Sequence, residues 1–303
     1  MTRTDVSIRM GTKDGARFLP QQLSSLLAQE SISWDLVVSD DGSSDATVDQ
    51  LHQFARDRAV TVRAGPKRGF AQNFLSLASQ PLNASFLAFC DQDDVWTASK
   101  LSQAVHALRD TPASQPALYC SRTVLVDDVL KPIGLSPLFR RSPSFSNALV
   151  QCIGGGNTMV MNQCAADLLA RYADVSVVSH DWWAYQLISG AGGRVIYDPQ
   201  PSLFYRQHGA NQSGGNLGPC ASLVRAKAVL AGRYRSWLDV QVAALRQAEG
   251  ALTSANLRVF DKFQEAREAK GWSCALRLAS AGIYRQRLAG QASLLGAALV
   301  AAV

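Results

Sequence analysis

The feature that most constrains this chain is an alternation. Short apolar stretches fit for buried strands take turns with stretches whose apolar residues recur at helical spacing. Asp5–Met10, Trp34–Ser39, Val60–Ala64, Phe86–Cys90 and Ala117–Val126 read as strands, and Arg17–Gln29, Asp45–Arg58, Gly69–Ser79 and Ala98–Arg109 read as the helices between them. Leu19, Leu23, Leu26 and Leu27 give the first helix its inner face; Val48, Leu51, Phe54 and Ala55 give the second. Thr97 stands where an N-cap of the fourth is expected. This β-α-β-α order predicts an α/β fold around a mostly parallel sheet of the nucleotide-binding type.

Two of these strands end in acid. Phe86–Cys90 runs into Asp91-Gln92-Asp93-Asp94, and Trp34–Ser39 runs into Asp40-Asp41-Gly42-Ser43-Ser44-Asp45. Carboxylates packed this tightly at the end of a buried strand repel one another and are costly to bury. A hard divalent cation relieves that cost and in turn binds phosphates. The plainer reading is a solvated acidic turn leading into the next helix. In open α/β sheets ligands sit outside the carboxyl ends of the strands. Two acidic loops there suit one polar ligand with several hydroxyls and a metal.

The alternation breaks at about 130–147, where Pro132, Pro137 and Pro143 with Arg140 and Arg141 mark a loop. Beyond it, Gly154-Gly155-Gly156-Asn157 leads into a short strand, Thr158–Met161, and Asn162 caps a helix. Val178–Trp183 opens another helix, Arg194–Asp198 and Ser202–His208 read as strands, and the chain from about Ala221 reads as helical.

The charge is lopsided. Residues 1–220 carry 18 Lys+Arg against 19 Asp+Glu, whereas residues 221–303 carry 12 against 5, so the whole excess of +6 lies in the tail. Such asymmetry suggests an anionic partner. No nucleic-acid motif accompanies it, which leaves an anionic membrane surface. The apolar stretch Leu288–Val303 is 16 residues long, short of the ~20 a spanning helix needs. Preceded by Arg277, Arg285 and Arg287, it reads as an interfacial helix. The competing reading packs it on the core or on a second subunit, as in a homodimer. The six cysteines are scattered without a C-x-x-C pair, and the N-terminus lacks a secretory signal. The expected compartment is a reducing cytoplasm, peripheral to the inner face of the cell membrane.

Ser39-Asp40-Asp41-Gly42-Ser43, Asp91-Gln92-Asp93-Asp94, the 154–157 turn, His180-Asp181-Trp182 and Tyr205-Arg206-Gln207-His208 follow one another in the order seen in family 2 glycosyltransferases. The chain resembles these enzymes, most of all the bacterial rhamnosyltransferase-like members that build surface polysaccharides. The likeness covers about residues 5–215. It implies a GT-A fold in residues 1–215, with a nucleotide-binding half at about 1–128 and an acceptor half at about 145–215. Residues 216–303 then form a basic helical region. It also implies a dTDP-, UDP- or GDP-sugar donor, Mg²⁺ or Mn²⁺, a glycan or lipid-linked acceptor, and inversion at the anomeric carbon.

Carried over position by position, the resemblance makes Asp41 the partner of the base, with Thr12 in the loop that wraps the nucleoside. Asp91 falls near the ribose and metal, Asp93 on the metal, and His208 on metal or diphosphate. Asp181 is the general base. Gly155, Gly156 and Asn157 would line the sugar site, with Trp182 or Trp183 beside the acceptor and Arg68 near phosphate. Several have a plainer alternative, and His208 could be a surface histidine or bond a backbone carbonyl. Asp181 suits a helix N-terminus, Arg68 a solvated loop, Asp94 a helix cap, and Gly155 and Gly156 a tight turn. Trp182 and Trp183 point apart on one helix, so one is expected in the core. The loop Thr12-Lys13-Asp14-Gly15 departs from the family's usual Thr-Tyr-Asn-Gly, leaving Lys13 to face a phosphate or solvent. The chemistry also leaves room for a nucleotidylyltransferase or an inactive sugar-nucleotide-binding scaffold.

Overall fold

The computed structural model describes residues 4–56, 58–208 and 232–303. Strands β1 (Thr4–Thr12), β2 (Trp34–Asp40), β3 (Val60–Ala64) and β4 (Ala84–Cys90) alternate with helices α1 (Leu19–Leu27), α2 (Thr47–Ala55) and α3 (Phe70–Ala78). After the short β5 (Val95–Trp96) come α4 (Lys100–Leu108), β6 (Ala117–Val126), β7 (Pro132–Leu135) and α5 (Phe145–Ala148). A 3₁₀ turn at Gly156–Thr158 leads to β8 (Val160–Asn162), α6 (Gln163–Arg171), α7 (His180–Gly190) and β9 (Arg194–Arg206). Among the described residues four further α-helices follow, with a 3₁₀ turn at Glu249–Ala251: α8 (Arg233–Gln247), α9 (Ser254–Glu268), α10 (Gly271–Ser280) and α11 (Leu288–Leu299).

One sheet runs in the order β3-β2-β1-β4-β8-β6-β9-β5, with β7 on β6. The pairs among β1, β2, β3 and β4 are parallel, as is β6 with β9. The short β8 joins β4 and β6 antiparallel. This is an α/β, GT-A-like architecture.

The strands read as nearly unbroken apolar runs because both faces of the sheet are covered. Side chains alternate between two cores. Ala88 and Cys90 join Leu19, Leu51 and Leu101 under α1, α2 and α4, while Leu87 and Phe89 join Phe74, Trp183 and Leu187 under α3 and α7. The second core continues into the C-terminal helices through Leu238, Phe260, Leu278 and Leu294. The terminal helix α11 thus buries one side, Leu294, Ala297 and Ala298, against the body of the protein. No helix among the described residues is long and apolar enough to cross a membrane.

Three sequence expectations need correction. Thr97 does not cap α4: Ser99 holds the N-cap position, and the Thr97 hydroxyl donates to the Ser202 carbonyl at 2.9 Å. Arg194–Asp198 and Ser202–His208 form one strand, β9, whose register against β6 shifts around Arg122. Pro199 and Pro201 lack the donors that an unbroken ladder would need. The proline-rich stretch at 130–147 contains β7 and α5 as well as loop. The expected start of the tail helices near Ala221 lies outside the described residues.

Candidate active site

The site forms at the carboxyl ends of β1, β2 and β4. These strands are neighbours, with Thr12 opposite Asp40 and Met10 opposite Cys90, so parallel pairing delivers three loops to one edge. The first loop is stapled to both others. Lys13 exchanges backbone hydrogen bonds with the Gln92 amide at 2.9 and 2.8 Å. Its ammonium donates to the carbonyls of Asp41 at 3.2 Å and Gly42 at 2.9 Å. The residue that departs from the family pattern therefore bridges the two acidic loops. Asp14 sits at φ 47°, and a Cβ on Gly15 would meet Gln92 at 2.1 Å, so the Asp-Gly pair is what lets this loop close.

Asp40 organises its own loop. It accepts from Thr12 and Ser43 hydroxyls and from the Gly42 and Ser43 amides, and these bonds hold its carboxyl below the usual range despite burial. Thr12 is accordingly buried, with its hydroxyl spent on Asp40. It braces the loop through that bond. Asp41 accepts from the amides of Lys67 at 2.6 Å and Gly69 at 3.0 Å, tying the loop before α3 to the edge. Arg68 lies exposed in that loop.

Asp91, Asp93 and Asp181 converge. Burial first, then the charges of Asp93 and Asp181, push the Asp91 carboxyl up to about 8. His208, at the end of β9, closes on Asp93, with Nε2 2.7 Å from Oδ2. Asp181 stands in the first turn of α7, where the helix dipole favours an anion. Its Oδ1 accepts from the Ser179 hydroxyl and from the Trp182 amide at 2.7 Å; its Oδ2 accepts from the Gly156 amide at 3.2 Å. The glycine-rich turn is thereby bonded to the carboxylate.

Beside these groups lie buried polar side chains, Asp94, Lys100 and Arg206, whose partners the sequence did not announce. Asp94 is buried, accepts from the Asn157 side-chain amide and from the Arg206 backbone, and burial drives its carboxyl well above the ordinary range. Lys100, equally buried, lies over the Trp96 ring at 4.0 Å, and burial lowers its ammonium to about 8. Arg206 donates from Nε to the Asp93 carbonyl at 2.8 Å and reaches Gln21 and the Asp128 carbonyl. Asn157 thus supports Asp94 from within; Gly155 is exposed beside it.

His180 was passed over in the sequence. It is buried, stacks on Phe74 with ring centroids 4.0 Å apart, and neither ring nitrogen has a hydrogen-bond partner. Burial lowers its pKa to about 4, so the imidazole is neutral. Its signal was its place beside Asp181 among Phe70, Phe74 and Phe89. The tryptophans correct another expectation, since both are buried. Trp182 donates to the Ala148 carbonyl and Trp183 to the Tyr172 carbonyl. Helix α7 is enclosed on every side, so adjacent positions both reach core.

The donor set suits a hard cation. Asp91 and Asp93 offer carboxylate oxygens side by side, and burial, followed by the charges of Asp93 and Asp181, makes the anionic form of Asp91 costly unless a cation answers it. Among the described residues no three Asp, Glu, His or Cys side chains form a preformed cage. A cation such as Mg²⁺ takes one or two carboxylates and completes its shell with substrate phosphates, and Asp91 and Asp93 are the residues that would supply them. A separate cavity of about 230 Å³ near Ser85, Phe86 and Asn162 has no carboxylate, histidine or thiol in its lining and offers no comparable chemistry.

The sequence profile of Glycosyl transferase family 2 matches residues 7–166. The chain belongs to this family. It is a glycosyltransferase that takes its sugar from a nucleotide sugar. The chain is 25% identical to the dTDP-rhamnosyl transferase RfbG of Shigella flexneri over 222 residues, 69% of this chain and 74% of that one. It is 32% identical over 100 residues to the UDP-Glc:alpha-D-GlcNAc-diphosphoundecaprenol beta-1,3-glucosyltransferase WfgD of Escherichia coli, 33% of this chain and 39% of that one. In fold it is similar to the mannosyltransferase PcManGT from Pyrobaculum calidifontis in complex with GDP-Man and Mn²⁺. The TM-score there is 0.52 at 20% identity, covering 100% of this chain and 86% of that one. It is also similar to S. aureus TarS 1-349 in complex with UDP-GlcNAc, with a TM-score of 0.55 at 13% identity, covering 78% of this chain. The chain spans 66% of that TarS structure.

Proposed function

We propose that this family member is an inverting glycosyltransferase that moves a deoxyhexose, rhamnose first among them, from a nucleotide diphosphate to a lipid-linked or polysaccharide acceptor. The observation that carries the reading is the meeting of Asp91, Asp93 and Asp181, from segments about ninety residues apart, with the Asp91 carboxyl raised by burial and then by the charges of the other two. The likeness to a dTDP-rhamnosyl transferase and to an enzyme acting on a diphosphoundecaprenol acceptor supports the choice of donor and acceptor.

The roles follow from the bonds. Asp91 and Asp93 would hold Mg²⁺ or Mn²⁺, with His208 bracing Asp93, and the cation would offset the charge gathering on the leaving diphosphate. Asp41 and the backbone of the Lys13 loop face the nucleoside side of the edge. Asp181 takes the proton of the attacking hydroxyl. Its Oδ1 already carries two donors while Oδ2 carries one, so Oδ2 is the basic atom. The Gly156 amide keeps that oxygen in place. Attack from the face opposite the departing diphosphate inverts the anomeric centre. Residues 1–215 would contain this machinery, with helix α8 buttressing α7 through Gln241 and Gln186.

The test is transfer from a panel of dTDP-, UDP- and GDP-sugars with Mn²⁺ to a diphosphate-lipid acceptor, with product stereochemistry read by NMR. The expected product comes from dTDP-rhamnose with its anomeric configuration inverted. Formation of a nucleotide sugar from nucleoside triphosphate and sugar 1-phosphate would instead mark a nucleotidylyltransferase. Donor binding without turnover on any acceptor would mark a scaffold.

A further inference from the structure

The four C-terminal helices present two kinds of outer surface. Exposed positions of α8 and α9 mix both signs of charge: Arg235 and Asp239 on one, Lys262 and Glu265 on the other. Helices α10 and α11 do not. From Ala269 to Val303 the chain carries Lys270, Arg277, Arg285 and Arg287 and no Asp or Glu. Helix α10 buries Cys274, Ala275 and Leu278, and turns Trp272 and Leu276 outward, 74% and 68% exposed. Those two are four residues apart and share one face. Helix α11 begins with Leu288, 91% exposed, has no charged residue along its length, and is followed by Val300, 56% exposed. A water-facing helix pair is not built this way, because large apolar side chains left exposed on helices whose only charges are cations mark an interaction surface.

We propose that the outer faces of α10 and α11 seat the enzyme on an anionic lipid surface. The chemistry selects this occupant over others. An apolar face set with lysine and arginine, with tryptophan at its edge, matches the boundary between acyl chains and anionic headgroups. A second copy docking face to face would oppose cation to cation with no carboxylate to answer. At 10 and 12 residues the helices lie on a bilayer and cannot cross it. Residues beside the active site take no part, so the inference stands or falls apart from the reading of the reaction.

The experiment is co-flotation of the full chain with vesicles of phosphatidylcholine alone and of phosphatidylcholine mixed with phosphatidylglycerol. The expected result is binding to the anionic vesicles, weakened by salt, with little on the neutral ones. Trp272→Ser with Leu276→Ser should lower partitioning roughly tenfold or more. Lys270→Gln with Arg277→Gln and Arg287→Gln should lower it by a similar factor. All these positions are exposed, and an unchanged melting temperature verifies the fold of each variant. Failure of the folded protein to float with anionic vesicles would overturn the proposal. So would a concentration-dependent dimer that the Trp272/Leu276 variant abolishes, since that would assign the face to a second copy.

Discussion

His208 Nε2 lies 2.7 Å from Asp93 Oδ2 across 115 residues of sequence. This bond joins the end of the last strand to the loop after the fourth. It fixes an oxygen of Asp93, and the Phe18 ring lies tilted against the imidazole with centroids 4.9 Å apart. His208→Ala should weaken donor binding and turnover about tenfold, the cost of one partly buried charged hydrogen bond. Steady-state kinetics with varied Mn²⁺ would show it as a raised metal requirement. An unchanged metal requirement would place His208 outside the donor site.

Asp181 separates chemistry from binding. Asp181→Asn keeps the size of the side chain and removes the base, so kcat should fall by ~10²–10⁴. Donor affinity should hold, since the proposed metal and nucleoside contacts belong to other residues. Single-turnover kinetics beside equilibrium binding distinguishes the two effects.

Gly156 has no room for a side chain. A Cβ there would stand 2.2 Å from His180 Nε2, and the neighbouring amide bond to Asp181 would have to shift. Gly156→Ala should cost about 1–3 kcal/mol of stability and lower kcat while leaving donor affinity near the wild-type value. Thermal melts and kinetics on the same preparation would check both.

The neutral, buried His180 makes the fold sensitive to acid. Its pKa is lowered to about 4 from the usual 6.5, so the unfolded chain binds the proton more readily than the folded one. Stability from this group is whole above pH 6.5 and is lost as the pH falls towards 4, by at most about 3 kcal/mol. His180→Phe keeps an aromatic ring in the stack with Phe74 and should flatten that part of the stability profile. Chemical denaturation between pH 7 and 4 measures the difference; an equally steep variant would exclude His180 as the source.

The sheet was legible because strand and helix periods differ and because Leu87-Ala88-Phe89-Cys90 is apolar on both faces. The acidic loops were legible because carboxylates there cannot be explained by packing. What the sequence concealed were partners set by tertiary contact. Thr12 stands in the first loop, but that its hydroxyl is bonded to Asp40 could not be read from the sequence. Trp182 and Trp183 looked divergent, but a helix enclosed on all sides has no outward face. Lys13 looked like a departure, and its role appeared only when the loops it bridges were brought together. The acid-free stretch after Glu268 was visible in the charge count, but which of its apolar side chains stay outside was decided by packing.

The central claim is that carboxylates from separate loops form one nucleotide-diphosphate and metal site. It is tested most directly by the shift in melting temperature that a nucleotide sugar with Mn²⁺ produces in wild type, Asp93→Ala and Asp181→Asn. The account predicts a clear upward shift in wild type, the same shift in Asp181→Asn, and none in Asp93→Ala. A full shift in Asp93→Ala, with the melt of the free protein unchanged, would contradict it.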